Sequence, residues 1–181
     1  MSKFIRSRGA WLIAICIALF LPTTTAYAAS PRLMLSYELT HDMLRVPDTF
    51  SVTVYEDGVA LVHYPEYMKK AGDYQVELSP SEVQKLRLLL EHPLVQGFNP
   101  GQAKVSKKDI DDQSQELFEV SDDSWSNFGV HTPGNEKSIR WANVSIDARR
   151  YPGIGVFRKL ADIEAQLMQL DQHPTAIAVV D

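Results

Sequence analysis

Cysteine is nearly missing from this 181-residue chain: the single one, Cys16, lies in an N-terminal apolar run. No intrachain disulfide can form, and a metal centre built on several thiolates is excluded. Histidine is sparse and scattered. His41, His63, His92, His131 and His173 form no His-x-His or His-Glu-x-x-His pair, so a preassembled zinc site has no local support. There is no Gly-x-Ser-x-Gly elbow, and Ser126 and Ser145 lack the strand-turn-helix setting that exposes a nucleophile. No internal repeat or low-complexity block is present. The apolar run from Ala10 to Leu21 has 12 residues, short of the ~20 needed to span a bilayer.

What is present at the N-terminus is a three-part address. Lys3, Arg6 and Arg8 precede that run, Pro22 breaks it, and Ala26-Tyr27-Ala28 supplies small residues at the end. The pattern predicts a secretory signal peptide over 1–28, cleaved after Ala28, and places the protein in a bacterial periplasm or outside the cell. Cys16 is a poor lipoprotein site, because Ile15 before it is bulky and the apolar run continues past it. Three of the 18 basic residues and none of the 23 acidic ones fall in this segment, so the remaining 153 residues carry 15 − 23 = −8. Such a surface repels nucleic acid and anionic lipid, so no nucleic-acid partner is expected, and removal of the signal is expected to leave no membrane span. A chain of that length buries ~70% of its unfolded surface and can be held by its core alone. The expected organisation is one domain over 29–170 and a C-terminal tail over 171–181.

Strand patterning dominates the first part of that domain. Leu33 to Leu39 alternates loosely. Phe50 to Tyr55 and Val59 to Tyr64 alternate strongly around Asp57-Gly58, a pair that favours a tight hairpin turn. Asp73 to Leu78 reads as a further strand. A helix follows, with Ser79 as N-cap, Pro80 as its first residue, Glu82 at the reciprocal capping position, and Val83, Leu86, Leu89 and Leu90 on one stripe. Leu94 to Phe98 is expected to be a short anchoring turn. Asn99-Pro100-Gly101 reads as a break, and the polar stretch 101–114 as a long exposed loop. Strands are predicted at Glu116 to Val120, Trp125 to His131 and Lys137 to Val144, the last two joined at Thr132-Pro133-Gly134-Asn135. Val156, Leu160, Ile163, Leu167 and Leu170 mark a closing amphipathic helix, and the apolar end is a tail or a last edge strand. The expected class is α+β: an antiparallel sheet of five or six strands, with two hairpins and two main helices packed on one face.

The block from Phe50-Ser51-Val52-Thr53-Val54-Tyr55-Glu56-Asp57-Gly58 through Leu78-Ser79-Pro80-Ser81-Glu82-Val83-Gln84-Lys85-Leu86 resembles the DUF6438 family. There a hairpin carrying Asp-Gly is followed by a strand and by a serine-capped helix. Phe98, the segment Lys137 to Trp141 and the helix from Val156 to Leu170 are similar in order and spacing, so the resemblance covers roughly 45–170. The chain departs from the family in lacking the cysteines many members carry before the first hairpin and in having longer loops. The resemblance implies a fold plan and an exported setting, with no activity attached.

Candidate chemistry is limited. Asp109, Asp111, Asp112 and Glu116 invite a calcium reading, but the run lacks the mid-loop glycine and reads as a solvated acidic loop. His63 and His131 lie on predicted strands and would serve a hydrolase only if they met across the sheet with a carboxylate and a serine. The aromatic residues around the hairpins are more suggestive. Arg140, Trp141, Trp125 and Tyr64 are the candidate binding residues, since aromatics and arginine concentrate binding energy at interfaces. The same tryptophans would equally serve as cross-strand core. The expected function is a non-catalytic exported domain that binds a protein or envelope component without a cofactor. A small hydrolase with a spatially assembled His/carboxylate/Ser site and a calcium-stabilised structural domain are the alternatives.

Overall fold

Period-two alternation builds one antiparallel sheet. The computed structural model describes residues 30–41, 48–114 and 123–179. The predicted signal segment 1–28 and the strand expected at Glu116 to Val120 lie outside the described residues. Strands β1 (Leu33–His41), β2 (Phe50–Tyr55), β3 (Val59–Tyr64), β4 (Gly72–Glu77), β5 (Ser124–Thr132), β6 (Asn135–Ala142) and β7 (Ile177–Val179) are arranged β6-β5-β1-β2-β3-β4-β7. Every neighbouring pair is antiparallel. The sheet therefore has seven strands where five or six were expected. The additional strand, β7, has three residues, too few for alternation to register, and pairs with β4 at the far edge.

The Asp57-Gly58 turn forms as predicted. Asp57 accepts a hydrogen bond from the Val59 N–H at 3.1 Å, and Gly58 takes φ +94° with its would-be Cβ position 2.8 Å from the Leu78 carbonyl oxygen. Only glycine fits there, since a side chain would meet both a disfavoured backbone conformation and a fixed backbone oxygen.

Five helices accompany the sheet among the described residues, with a closing 3-10 turn at Leu170–Gln172: α1 (Pro80–Leu90), α2 (Pro93–Gln96), α3 (Pro100–Ser114), α4 (Val144–Arg150) and α5 (Gly155–Leu167). The two predicted helices are α1 and α5. The long exposed loop expected over 101–114 is instead α3. Asn99 caps it by accepting the Gln102 N–H at 3.1 Å, with Pro100 as its first residue. The tripeptide read as a break is thus a helix start. No apolar stripe announced α3, because Ala103 is its one buried residue. Helix α4 replaces the end of the strand expected to reach Val144. Asn143 turns the chain there with φ +55°, a left-handed conformation that asparagine tolerates better than most residues. No helix among the described residues is long and apolar enough to cross a membrane.

The core lies on one face of the sheet. Leu35, Tyr37, Phe50, Val52, Val54, Val62, Phe128 and Ile139 point inward from the strands. Leu86 and Leu90 of α1 and Phe157, Leu160 and Ile163 of α5 close over them. The other face carries polar residues such as Glu38, His63 and Arg140.

Helix α1 starts with a complete capping box: Glu82 accepts the Ser79 N–H at 2.8 Å while Ser79 Oγ accepts the Glu82 N–H at 3.3 Å. His173 Nε2 lies 3.0 Å from Glu82 Oε1 and ties the C-terminal segment to the same helix. The Ser79 hydroxyl, then its backbone N–H and then His173 hold the Glu82 carboxyl down at about 2. Because this folded-state value lies below the ordinary 4.5, its contribution is present above that pH and fades as pH falls toward 2. Ser79→Ala should cost about 1 kcal/mol at neutral pH and flatten the loss of stability across that acid window, read by urea denaturation at several pH values.

Candidate functional site: a cleft at the free edge of the sheet

The sheet ends on one side at β6, where α3 and α4 approach it. Between them lies a cavity of about 620 Å³. Its base is organised by Asp147 of α4, which is buried at 3% exposure. Trp141 on β6 donates its indole N–H to Asp147 Oδ2 at 2.7 Å. Lys107 on α3 donates to both carboxylate oxygens, at 2.9 and 2.7 Å. The same ammonium lies 5.6 Å from the Trp141 ring centroid and 5.0 Å from that of Tyr151, so two aromatic faces share its charge. Tyr151 then donates its hydroxyl to Asp111 of α3 at 2.9 Å, and Arg150 approaches the same carboxylate at 3.5 Å. Burial pushes the Tyr151 phenol up from its ordinary value.

On the opposite rim, β5 and β6 pair so that Trp125 faces Ala142 and Asn127 faces Arg140. The Arg140 guanidinium sits 4.6 Å from the Trp125 ring centroid. Lys104 and Lys108 project from α3 into the same cavity. Lys108 pairs with Asp112 one helical turn on, whereas Lys104 and Arg140 have no ion pair among the described residues.

Three of the four candidate binding residues, Trp125, Arg140 and Trp141, thus line one cleft. Trp141 is at once core and cleft wall: 5% exposed, it packs on Phe98 and Phe157. Tyr64 does not join them. It sits four strands away on β3, buried between Phe50 and Tyr74, where desolvation and the neighbouring Asp171 carboxylate push its phenol up to about 12. The residues that sequence reasoning passed over are Lys104, Lys107 and Asp147. Lys107 was placed in a loop, and a lone aspartate among helix residues carries no signal of burial.

His63 and His131 do not meet, because β2 and β1 separate their strands. His131 Nδ1 lies 3.5 Å from the exposed Glu136 carboxylate. His63 is clamped on both ring nitrogens, with Asp73 of β4 at 2.6 Å and Asp48 at 2.5 Å. Carboxylates on opposite sides of a ring do not converge on a point a metal could occupy, and no described group of three or more His, Cys, Asp or Glu does so. Among the described residues neither histidine has a buried carboxylate and a serine in hydrogen-bonding reach. A separate hydroxyl cluster surrounds Glu164 of α5, which accepts from Tyr37 at 2.7 Å, Ser126 at 2.5 Å and Ser145 at 2.5 Å. It satisfies a half-buried carboxylate without a histidine base. Along α3, Asp111 turns to Tyr151 while Asp112 turns to Lys108, so the described part of the acidic run does not converge, and Glu116 lies outside the described residues.

Comparisons with protein families, curated proteins and solved structures found no match for this chain.

Removing Lys107 would strand the Asp147 carboxylate in the core with the indole as its remaining donor. Lys107→Met should cost about 3 kcal/mol, while Lys104→Met should stay within about 0.5 kcal/mol, both measured by urea denaturation. At the opposite end of the sheet, the hydrogen bonds that His63 donates to Asp48 and then to Asp73 raise its pKa above its ordinary 6.5. The clamp therefore stabilises the fold fully below about pH 6.5 and is lost as pH rises through the raised folded-state value. Equilibrium unfolding from pH 5.5 to 8.5 should show this decline, and His63→Gln should remove it.

Proposed function

We propose that this chain is an exported, non-catalytic module that binds a protein or an envelope component through the cleft beside β6. The observation that carries the reading is the Arg140–Trp125 stack at 4.6 Å on the rim of a cleft of about 620 Å³. Arginine and tryptophan are the side chains that most often dominate interface energies. Here Arg140 is exposed and Trp125 half-buried, while the groups beneath them are occupied with one another. The leader-like segment over 1–28 supports export to a periplasm or the cell exterior. The acidic balance of the remaining chain argues against nucleic acid as the partner. We also propose kinship with the DUF6438 family, on the order of the hairpin, capping and helix motifs quoted above.

The test is crosslinking in the native envelope followed by quantitative mass spectrometry. One enriched partner is expected, and Arg140→Ala or Trp125→Ala should weaken its capture about 30-fold, the loss of a hot spot of about 2 kcal/mol. Capture that is unchanged in both variants, with their melting points intact, would remove the cleft as the binding site.

A further inference from the structure

The cleft runs along a strand edge that no other described strand pairs with, and the register identifies which backbone groups face it. At the open end of the β5–β6 ladder, the Asn143 N–H donates to the Ser124 carbonyl at 2.7 Å. Hydrogen-bonded and non-bonded positions alternate along an antiparallel pair. Ser126–Trp141 and Phe128–Ile139 are therefore the bonded pairs, and Trp125–Ala142, Asn127–Arg140 and Gly129–Ser138 the non-bonded ones. The N–H and C=O groups of Ser138, Arg140 and Ala142 thus point away from β5, and no hydrogen bond from the described residues meets them. This edge is eight residues long, whereas the opposite edge strand has three.

An edge of that length is a template for another strand. A strand added ~4.8 Å outside β6 would lie in the cleft, with α3 on one side and the Arg140–Trp125 stack on the other. Side chains of an extended segment alternate between its two faces. Those on one face would meet Arg140, and those on the other would meet Lys104 and Lys108. The acidic residues nearby are engaged: Asp147 by Lys107 and Trp141, Asp111 by Tyr151 and Arg150, and Asp123 by the Asn143 amide at 2.7 Å. Among the described residues lining the cleft, the charges left without an ion pair or hydrogen bond are those of Lys104 and Arg140, both cationic on a chain that is otherwise acidic.

Resting on the cleft as the binding site, we propose that its ligand is an extended acidic peptide that adds to β6 as an eighth strand. Main-chain bonds form to Ser138, Arg140 and Ala142, and carboxylate side chains reach Arg140 and Lys104. Backbone pairing supplies affinity, and the two cationic flanks select for acidic sequences.

The probe is a fluorescein-labelled octapeptide of alternating valine and glutamate, with its valine–lysine counterpart as control, titrated into the purified protein. The acidic peptide should bind and weaken with added salt. Lys104→Glu and Arg140→Glu should each lower its affinity at least tenfold. Ser138→Pro removes an outward N–H without touching a bond to β5, and should abolish binding while leaving the melting point within a few degrees. Independently of any variant, amide exchange at Ser138, Arg140 and Ala142 of the unmutated protein should slow when the peptide is added. The proposal is overturned by equal binding of the lysine peptide, by no binding of either, or by binding that leaves those three amides exchanging as before. Binding of an oligogalacturonate that survives Ser138→Pro would assign the cleft to an acidic glycan instead. Envelope capture that depends on Arg140 while the acidic peptide fails would leave the cleft as the binding site and remove strand addition alone.

Discussion

A buried carboxylate, Asp147, ties together helix α4, strand β6 and helix α3, the last of which buries almost no apolar surface. Helix α3 buries a single residue, Ala103, so hydrophobic packing cannot hold it against the sheet. It is held instead by the ammonium of Lys107 on Asp147, and further along by the phenol of Tyr151 on Asp111. Asp147 also receives the Trp141 indole, which fixes the aromatic wall of the cleft. An ion taken out of water must recover its lost solvation through directed bonds, and here those bonds run to one strand and one distant helix. The cost of burying Asp147 is thus offset by contacts that shape the cleft.

This arrangement separates the stabilising core of the molecule from the cleft proposed as its binding site. Phe157, Leu160 and Ile163 of α5 and Leu86 and Leu90 of α1 seal the middle of the sheet. The chain has no disulfide available to reinforce it. The border strands contribute less to that core and stand where new contacts can be made. Arg140 can stay exposed on β6 because its neighbours Ile139 and Trp141 already anchor the strand from the opposite face. Alternation along a single strand therefore gives one set of residues to the core and the next to the solvent.

The elements legible in the sequence are those whose local signals agree. The hairpin at Asp57-Gly58 combines a turn pair with alternating strands. Helix α1 combines a cap, a first-turn proline and an apolar stripe. Helix α5 carries the cleanest stripe: Val156, Leu160, Ile163 and Leu167 are all buried, joined by Phe157, which the stripe did not include. Helix α3 was missed because its signals disagree, with a good start at Asn99-Pro100 followed by a polar sequence that buries almost nothing. Helix α4 was missed because the predicted strand ran on to its first residue, Val144, and seven residues are too few for a helical stripe to stand out. The candidate site was half legible for the same reason. Trp125, Arg140 and Trp141 stand close in sequence on paired strands, so their meeting follows from the hairpin. Lys107 and Asp147 are 40 positions apart, and nothing local distinguishes them from surface charges. Tyr64 failed because an aromatic at a strand end satisfies the same pattern whether it faces a groove or the core.

The two edges of the sheet also differ in how they meet water. At the β7 edge the strand is three residues long, and the nearby Thr175 side chain accepts the Glu77 N–H and donates to the Glu77 carbonyl, each at 2.9 Å. Those bonds finish β4 where β7 does not reach it, and a short edge is a poor template for another chain. At the β6 edge no such closure exists among the described residues beyond Gln96, which meets Lys137 and Asn135 near the hairpin. The rest of that edge is flanked by cations. Lysine and arginine beside an open strand oppose its pairing with an identical copy, because like charges would be brought together. They do not oppose an acidic strand. On the proposal of strand addition, the charges that would disfavour pairing with an identical copy are therefore the same charges that would favour a partner of opposite sign.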